Sequence, residues 1–181
     1  IPKLKIMGVE AVKSSTPEVC RGKIKDAIRV IMNDSEDALI KFVNDFKEVF
    51  MTLSPEEVAF PRSCNNVNKY IDSNSIYKKG TPIHVKGALI YNHNINKHRL
   101  GMKYPLIRDG DKIKFLMLKQ PNTVKDTVIS FSTKIPYEFE LHKYVDYDTQ
   151  FQKTFTDPLR FILDSIGWKL EREATLEAFF G

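Results

Sequence analysis

SEDALIKFVNDFKEVF, residues 35–50, sets Leu39, Phe42, Val43, Phe46, Val49 and Phe50 at three- and four-residue intervals, the spacing that gathers apolar side chains on one face of a helix. Ser35 is placed to cap it, and Glu36 and Asp37 fall in the first turn, where the helix dipole favours carboxylates. The acidic block of residues 33–61, seven acids against two bases, is therefore expected to be the outer side of a helix whose other side is core.

Upstream, residues 3–12 read as a strand, with Leu4, Ile6, Val9 and Val12 set among Lys and Glu around Gly8, and Ser15, Thr16, Pro17 and Glu18 combine a capping hydroxyl, a first-turn proline and a capping-box acid. The helix that follows carries Cys20, Ile24, Ala27, Ile28 and Ile31 on one side and Arg21, Lys25 and Arg29 away from it. Downstream, Ser54 and Pro55 break the pattern and residues 56–62 read as a short strand ending at Pro61. Thr81 and Pro82 open a helix to about Asn96 with Ile83, Ala88, Tyr91 and Ile95 inward. Asp109, Gly110 and Asp111 make a turn before a strand over 112–118, with 127–133 as its partner. From Tyr147 the helical period returns, is interrupted at Asp157 and Pro158, and is closed by Gly167. The fold class expected is α+β.

Composition bounds the chemistry. With 181 residues the chain can bury a core without disulfides or a structural metal, and its apolar runs fall far short of the roughly 20 residues of a membrane span. Cys20 and Cys64 have no paired spacing, which points to a reducing compartment. The start at Ile1, without an initiator Met or a run resembling a signal peptide, is read as a processed, trimmed or incomplete chain. There is no GxxxxGK loop, no GxGxxG after a strand and no GxSxG elbow. Asp109 and Asp111 flank a glycine as a hairpin turn does, and His84, His93 and His98 lack the Cys or acids that would complete a zinc set. No catalytic residue and no metal ligand is assigned.

The 28 Lys and Arg against 23 Asp and Glu are unevenly placed. Residues 1–32 hold seven bases and three acids, and residues 62–114 eleven bases and three acids together with three of the four His. Lys and Arg beside Asn, Ser and Tyr suit phosphate oxygens, although a solvated basic face has the same composition. Lys13 with the hydroxyls of Ser14, Ser15 and Thr16, just before a helix start, is one place that attracts phosphate; capping alone explains the same hydroxyls.

The stretch KLKIMGVEAVKSSTP (3–17) resembles the palm-to-thumb junction of B-family DNA polymerases, and of the replicative polymerases of T-even-type tailed bacteriophages in particular. SCNNVNKY (63–70), PIHVKGALIYN (82–92), GDKIKFL (110–116), FQKTFTDPL (151–159) and TLEAFFG (175–181) look like successive thumb segments in the same order. The resemblance implies a helical thumb base with a small mixed α/β tip and a short palm-derived N-terminal strand, divided as 1–15 palm and junction, 16–170 thumb and 171–181 clamp-binding tail. It implies that Lys13, Ser14, Ser15, Thr16, Asn65, Asn66, Lys69, Lys86 and Asn92 face the backbone of primer-template duplex DNA. Leu176, Phe179 and Phe180, at i, i+3 and i+4, would dock on a sliding clamp.

The family's metal-binding aspartates and fingers lie upstream of the matched stretch. The resemblance thus implies a fragment, or a subunit with a separate palm and fingers polypeptide, in the cytoplasm of an infected bacterium and neither secreted nor membrane-bound. No cofactor is expected in this chain, while the whole polymerase uses Mg and deoxynucleoside triphosphates. Two other readings stand beside it: a stand-alone clamp-recruiting or nucleic-acid-binding module, and a small nuclease using Asp109 and Asp111.

Overall fold

A computed structural model describes residues 16–170. The expected strand over 3–12, Lys13, Ser14 and Ser15, and the tail residues Leu176, Phe179 and Phe180 lie outside the described residues. Within them the fold is α+β, as expected: helices at both ends of the described chain and a three-stranded antiparallel sheet between, in the order β1-β2-β3.

The first two helices follow the periodicity. α1 (Glu18–Asn33) buries Cys20, Ile24, Ala27, Ile28 and Ile31, and α2 (Glu36–Phe50) buries Leu39, Val43, Phe46 and Phe50. Ser35 caps α2 by accepting the Ala38 N–H at 3.1 Å. Val49 departs from expectation and is 52% exposed. At 100° per residue it stands about 90° from the centre of the buried stripe, at its edge, where Phe42 is already only half covered. At the start of α1 the N-cap is Pro17 itself, which has no side-chain donor or acceptor, so the hydroxyl cap expected there is replaced by the main chain.

Ser54 and Pro55 start one helical turn, α3 (Pro55–Val58), with the Ser54 hydroxyl accepting the Glu57 N–H at 3.4 Å. The strand expected over 56–62 is displaced to β1 (Phe60–Cys64), which runs through Pro61 instead of ending there. Proline is tolerated because β1 is an edge strand and loses no ladder bond on its open side. β2 (Asp111–Met117) is central, with Pro61 opposite Lys114 and Ser63 opposite Lys112, and β3 (Val128–Phe131) completes the sheet with Lys114 opposite Phe131.

α4 (Ile83–Lys97) lies across β3, and Ala88, Tyr91 and Ile95 face the core as expected. Ile83 is 38% exposed because it is the first helical residue, ahead of the turn that meets the sheet. Thr81 does not cap α4: its hydroxyl turns back to the Lys78 carbonyl at 2.5 Å. The approach of α4 to β3 needs a glycine. A Cβ on Gly87 would stand 2.4 Å from the Ser130 Oγ and 2.7 Å from the Ser130 backbone N.

The last helical stretch is continuous where a break was expected. α5 (Tyr147–Phe151) passes through a π-helical turn (Gln152–Thr156) into α6 (Asp157–Asp164), and the Asp157 N–H reaches back five residues to the Gln152 carbonyl. Thr154 donates its hydroxyl to the Gln150 carbonyl at 2.6 Å, and Thr156 to that of Gln152 at 3.3 Å. Pro158 cannot donate to a carbonyl in the preceding turn, and the widened turn absorbs that loss without ending the helix. Gly167 does close it, at φ 74° with the Trp168 N–H on the Leu163 carbonyl at 3.2 Å.

An aromatic cluster fills the helical end, with Phe46 edge-on to Phe155 at 4.8 Å between ring centroids and Phe50 edge-on to Phe151 at 5.1 Å. Gln150, fully buried, fastens this end to the sheet. Its amide donates to the Val58 carbonyl at 2.8 Å and its carbonyl accepts the Met117 N–H at 2.9 Å.

Candidate nucleic-acid interface

β1 delivers the chain into a loop that is held open by burying one residue. Cys64 is the last residue of β1 and is fully buried; Asn65 and Asn66 are exposed, and Val67 returns to the core at 3% exposure. Asn66 takes the left-handed conformation at φ 63°, which asparagine tolerates better than most residues. A 3₁₀ turn (Asn68–Tyr70) follows, with the Lys69 N–H on the Asn66 carbonyl at 3.1 Å and the Lys69 ammonium 5.4 Å from the Tyr70 ring centroid.

The Asp109–Gly110–Asp111 turn fastens this loop. Asp109 accepts the Val67 N–H at 2.7 Å, the Gly110 N–H donates to the Cys64 carbonyl at 2.7 Å, and Asp111 accepts the Arg108 N–H at 2.8 Å. Both carboxylates are thus engaged by backbone amides, and Gly110 supplies the φ of 83° that the turn requires. Among the described residues no three His, Cys, Asp or Glu side chains are grouped so as to hold a metal ion. Burial, followed by the charges of Asp109 and Asp111, pushes the Cys64 thiol up to about 11; burial does the same to Cys20.

The other expected contact residues are placed differently. Thr16 is buried at 8%, and its carbonyl accepts the Arg21 Nε–H at 2.9 Å. Asn92 spends both ends of its amide on one residue, donating to the Ile107 carbonyl at 2.9 Å and accepting the Ile107 N–H at 2.8 Å. Lys86 is half-buried, 3.4 Å from Asp126 and 4.8 Å from the centroid of Tyr77, whose hydroxyl donates to the same carboxylate at 2.6 Å. Burial acts to lower the Lys86 ammonium, but Tyr77 and Asp126 outweigh it and hold it above its ordinary value. Asn65, Asn66 and Lys69 are therefore brought together at the surface, whereas Lys86, Asn92 and Thr16 each make contacts within the fold.

Cations that the motifs did not single out are also exposed within residues 62–114. Arg62, Lys78, Lys79, Lys97, Arg99, Arg108 and Lys112 are exposed, and of the basic residues in 62–114 only Lys86 and Lys103 pair with a carboxylate among the described residues. Cross-strand register was the missing signal, since Lys112 stands opposite Ser63 on the outer strand pair. His84 sits half-buried against this edge. Burial and then the neighbouring Arg62 guanidinium hold its imidazole below the ordinary range, while a hydrogen bond with the Ser63 backbone acts the other way.

A cleft of about 510 Å³ brings the start of α1 against β1, with Pro17, Glu18 and Arg21 on one wall and Glu56, Glu57, Pro61 and Lys114 on the other. Its carboxylates outnumber its cations, so the cleft itself is no phosphate cradle. Its importance is spatial: the residues after Ser15 are neighbours of the strand that leads to Asn65.

No helix among the described residues is long and apolar enough to cross a membrane. No protein-family model matches the chain. The sequence is 30% identical, over 184 aligned positions covering 99% of this chain, to a DNA-directed DNA polymerase of Enterobacteria phage T4. It is 31% identical, over 99% of its length, to a DNA-directed DNA polymerase of Escherichia phage RB69. The chain spans about a fifth of the length of these relatives, and its similarity to the two phage polymerases runs nearly from end to end.

Proposed function

We propose that this chain is the thumb part of a phage-type DNA-directed DNA polymerase, which grips the primer-template duplex through its phosphates while chemistry is performed by residues carried elsewhere. Residues 16–170 are the thumb in this reading, 1–15 the junction to the palm, and 171–181 a tail whose Leu176, Phe179 and Phe180 tether the enzyme to a sliding clamp. The partners are duplex DNA, the clamp and the palm and fingers, whether these precede the chain in one polypeptide or form another; Mg and deoxynucleoside triphosphates belong to the whole polymerase.

Sequence similarity over 99% of the chain to two polymerases of which it spans a fifth carries the proposal. The surface supports it independently. Asn65, Asn66 and Lys69 stand on a loop pinned by Asp109, next to a sheet edge where Arg62 and Lys112 are exposed without carboxylate partners. Exposed cations and amides on a rigid backbone suit phosphate contacts, which position a duplex without reading its sequence. α4 adds an N-terminus with no side-chain cap, flanked by exposed Lys78 and Lys79.

The test is a set of hairpin duplexes of unrelated sequence titrated with the chain and with its Lys69→Ala and Arg62→Ala variants. The proposal expects each variant to weaken all the duplexes alike. A loss confined to one sequence contradicts it.

A further inference from the structure

Tyr137 is 69% exposed, and one face of its ring is stacked on His142 with centroids 4.7 Å apart and planes 14° from parallel. The exposed area is therefore the opposite face and the rim. Such a ring would move if its turn were loose, but this turn is nailed down. Phe139, two residues on, is buried edge-on against Tyr91 at 5.8 Å, and its carbonyl accepts the Thr123 hydroxyl at 2.5 Å. Pro136 leads into the turn and Glu140 leaves it in the left-handed conformation at φ 53°.

Beside the turn lies the loop after α4. Glu138 accepts the Lys103 ammonium at 3.1 Å and the Tyr104 hydroxyl at 3.0 Å, so the Lys103 and Glu138 charges cancel where the two segments meet. Met102, next to Lys103, projects fully into solvent, and Lys97, Arg99 and Lys143 are exposed with no carboxylate partner among the described residues. A rigid open aromatic face, a free thioether and unpaired cations thus occur together.

We propose that Tyr137 and His142 form a stacking platform for an unpaired nucleic-acid strand, with the cations of the loop after α4 following its phosphates. The occupant is single-stranded because the interior of a duplex hides its ring faces, whereas an unpaired base can lay its own on Tyr137. Exposed cations make a polyanion the fitting partner in place of a neutral protein surface. This inference goes beyond the duplex grip and does not depend on it.

The full chain is titrated by fluorescence anisotropy with a labelled 12-nucleotide oligo(dT), an abasic strand of the same length and a hairpin duplex. Tyr137→Ala is expected to weaken oligo(dT) binding by about fivefold or more, the lower end of the loss of one base–aromatic stack. Tyr137→Trp retains it, and hairpin affinity changes less than twofold. Wild-type chain should bind the abasic strand as weakly as Tyr137→Ala binds oligo(dT). Equal oligo(dT) affinity for wild type and Tyr137→Ala overturns the proposal, as does an abasic strand bound as tightly as oligo(dT), which would indicate charge alone. Oligo(dT) binding without hairpin binding would sink the duplex grip and leave this platform standing; the reverse would do the opposite.

Discussion

Gly87→Ala should destabilise the protein although alanine is the better helix former. Inside an exposed helix the exchange stabilises by about 1 kcal/mol. At Gly87 the new methyl carbon would lie 2.4 Å from the Ser130 Oγ, 2.7 Å from the Ser130 N and 3.0 Å from the Ile129 carbonyl carbon. Rotating Ser130 relieves only the first of these, and would surrender its hydroxyl's hydrogen bond to the His84 carbonyl at 2.8 Å. The other two are backbone atoms of β3, so α4 must lift from the sheet, an overpacking cost of up to about 3 kcal/mol. The net expectation is a loss of about 2 kcal/mol, which for a chain of this size lowers Tm by roughly 4–8 °C. Gly22→Ala is the internal control, because a Cβ there meets nothing within 4 Å in the middle of α1. It should be neutral or stabilising by up to about 1 kcal/mol. Urea titrations of both variants followed by far-UV circular dichroism make the comparison. A Gly87→Ala protein as stable as wild type, with Gly22→Ala no better, would refute the close packing of α4 on β3.

Gln150→Leu leaves the buried Val58 carbonyl and the Met117 N–H without their partner, and should cost roughly 2–6 kcal/mol in the same titration, at about one to three per orphaned group. For His84 the folded state favours the neutral imidazole, so the unfolded chain binds more protons between the two pKa values. Its contribution is complete above about 6.5 and is lost as pH falls from there. His84→Gln should flatten the decline of Tm as pH falls below about 6.5; an unchanged profile assigns that decline to other groups.

How far the sequence could be read depended on whether the deciding partner was local. The faces of α1 and α2 follow from spacing alone, and Val49 is exposed at an edge that periodicity, marking only a stripe, does not fix. Residues 54–58 carry a local signal for one helical turn, a serine before Pro-Glu-Glu, which puts the strand later than the expected 56–62. The π turn arises from two threonines bonding back to carbonyls just before a proline, a competition that hydrophobic patterning does not register. The candidate contact residues show what a partner distant in sequence conceals. Lys86 and Asn92 have the composition of phosphate ligands, but their partners, Asp126 and Ile107, come from segments that only the fold brings close. Asn65, Asn66 and Lys69 kept their place at the surface because the residue pinned among them is Val67.

The most direct test of a cationic surface holding a duplex is the salt dependence of binding by the whole chain. A plot of log Kobs against log salt concentration should fall with a slope near −4.5 if about five phosphates are engaged, and should do so for any duplex sequence. A slope near zero would contradict the account.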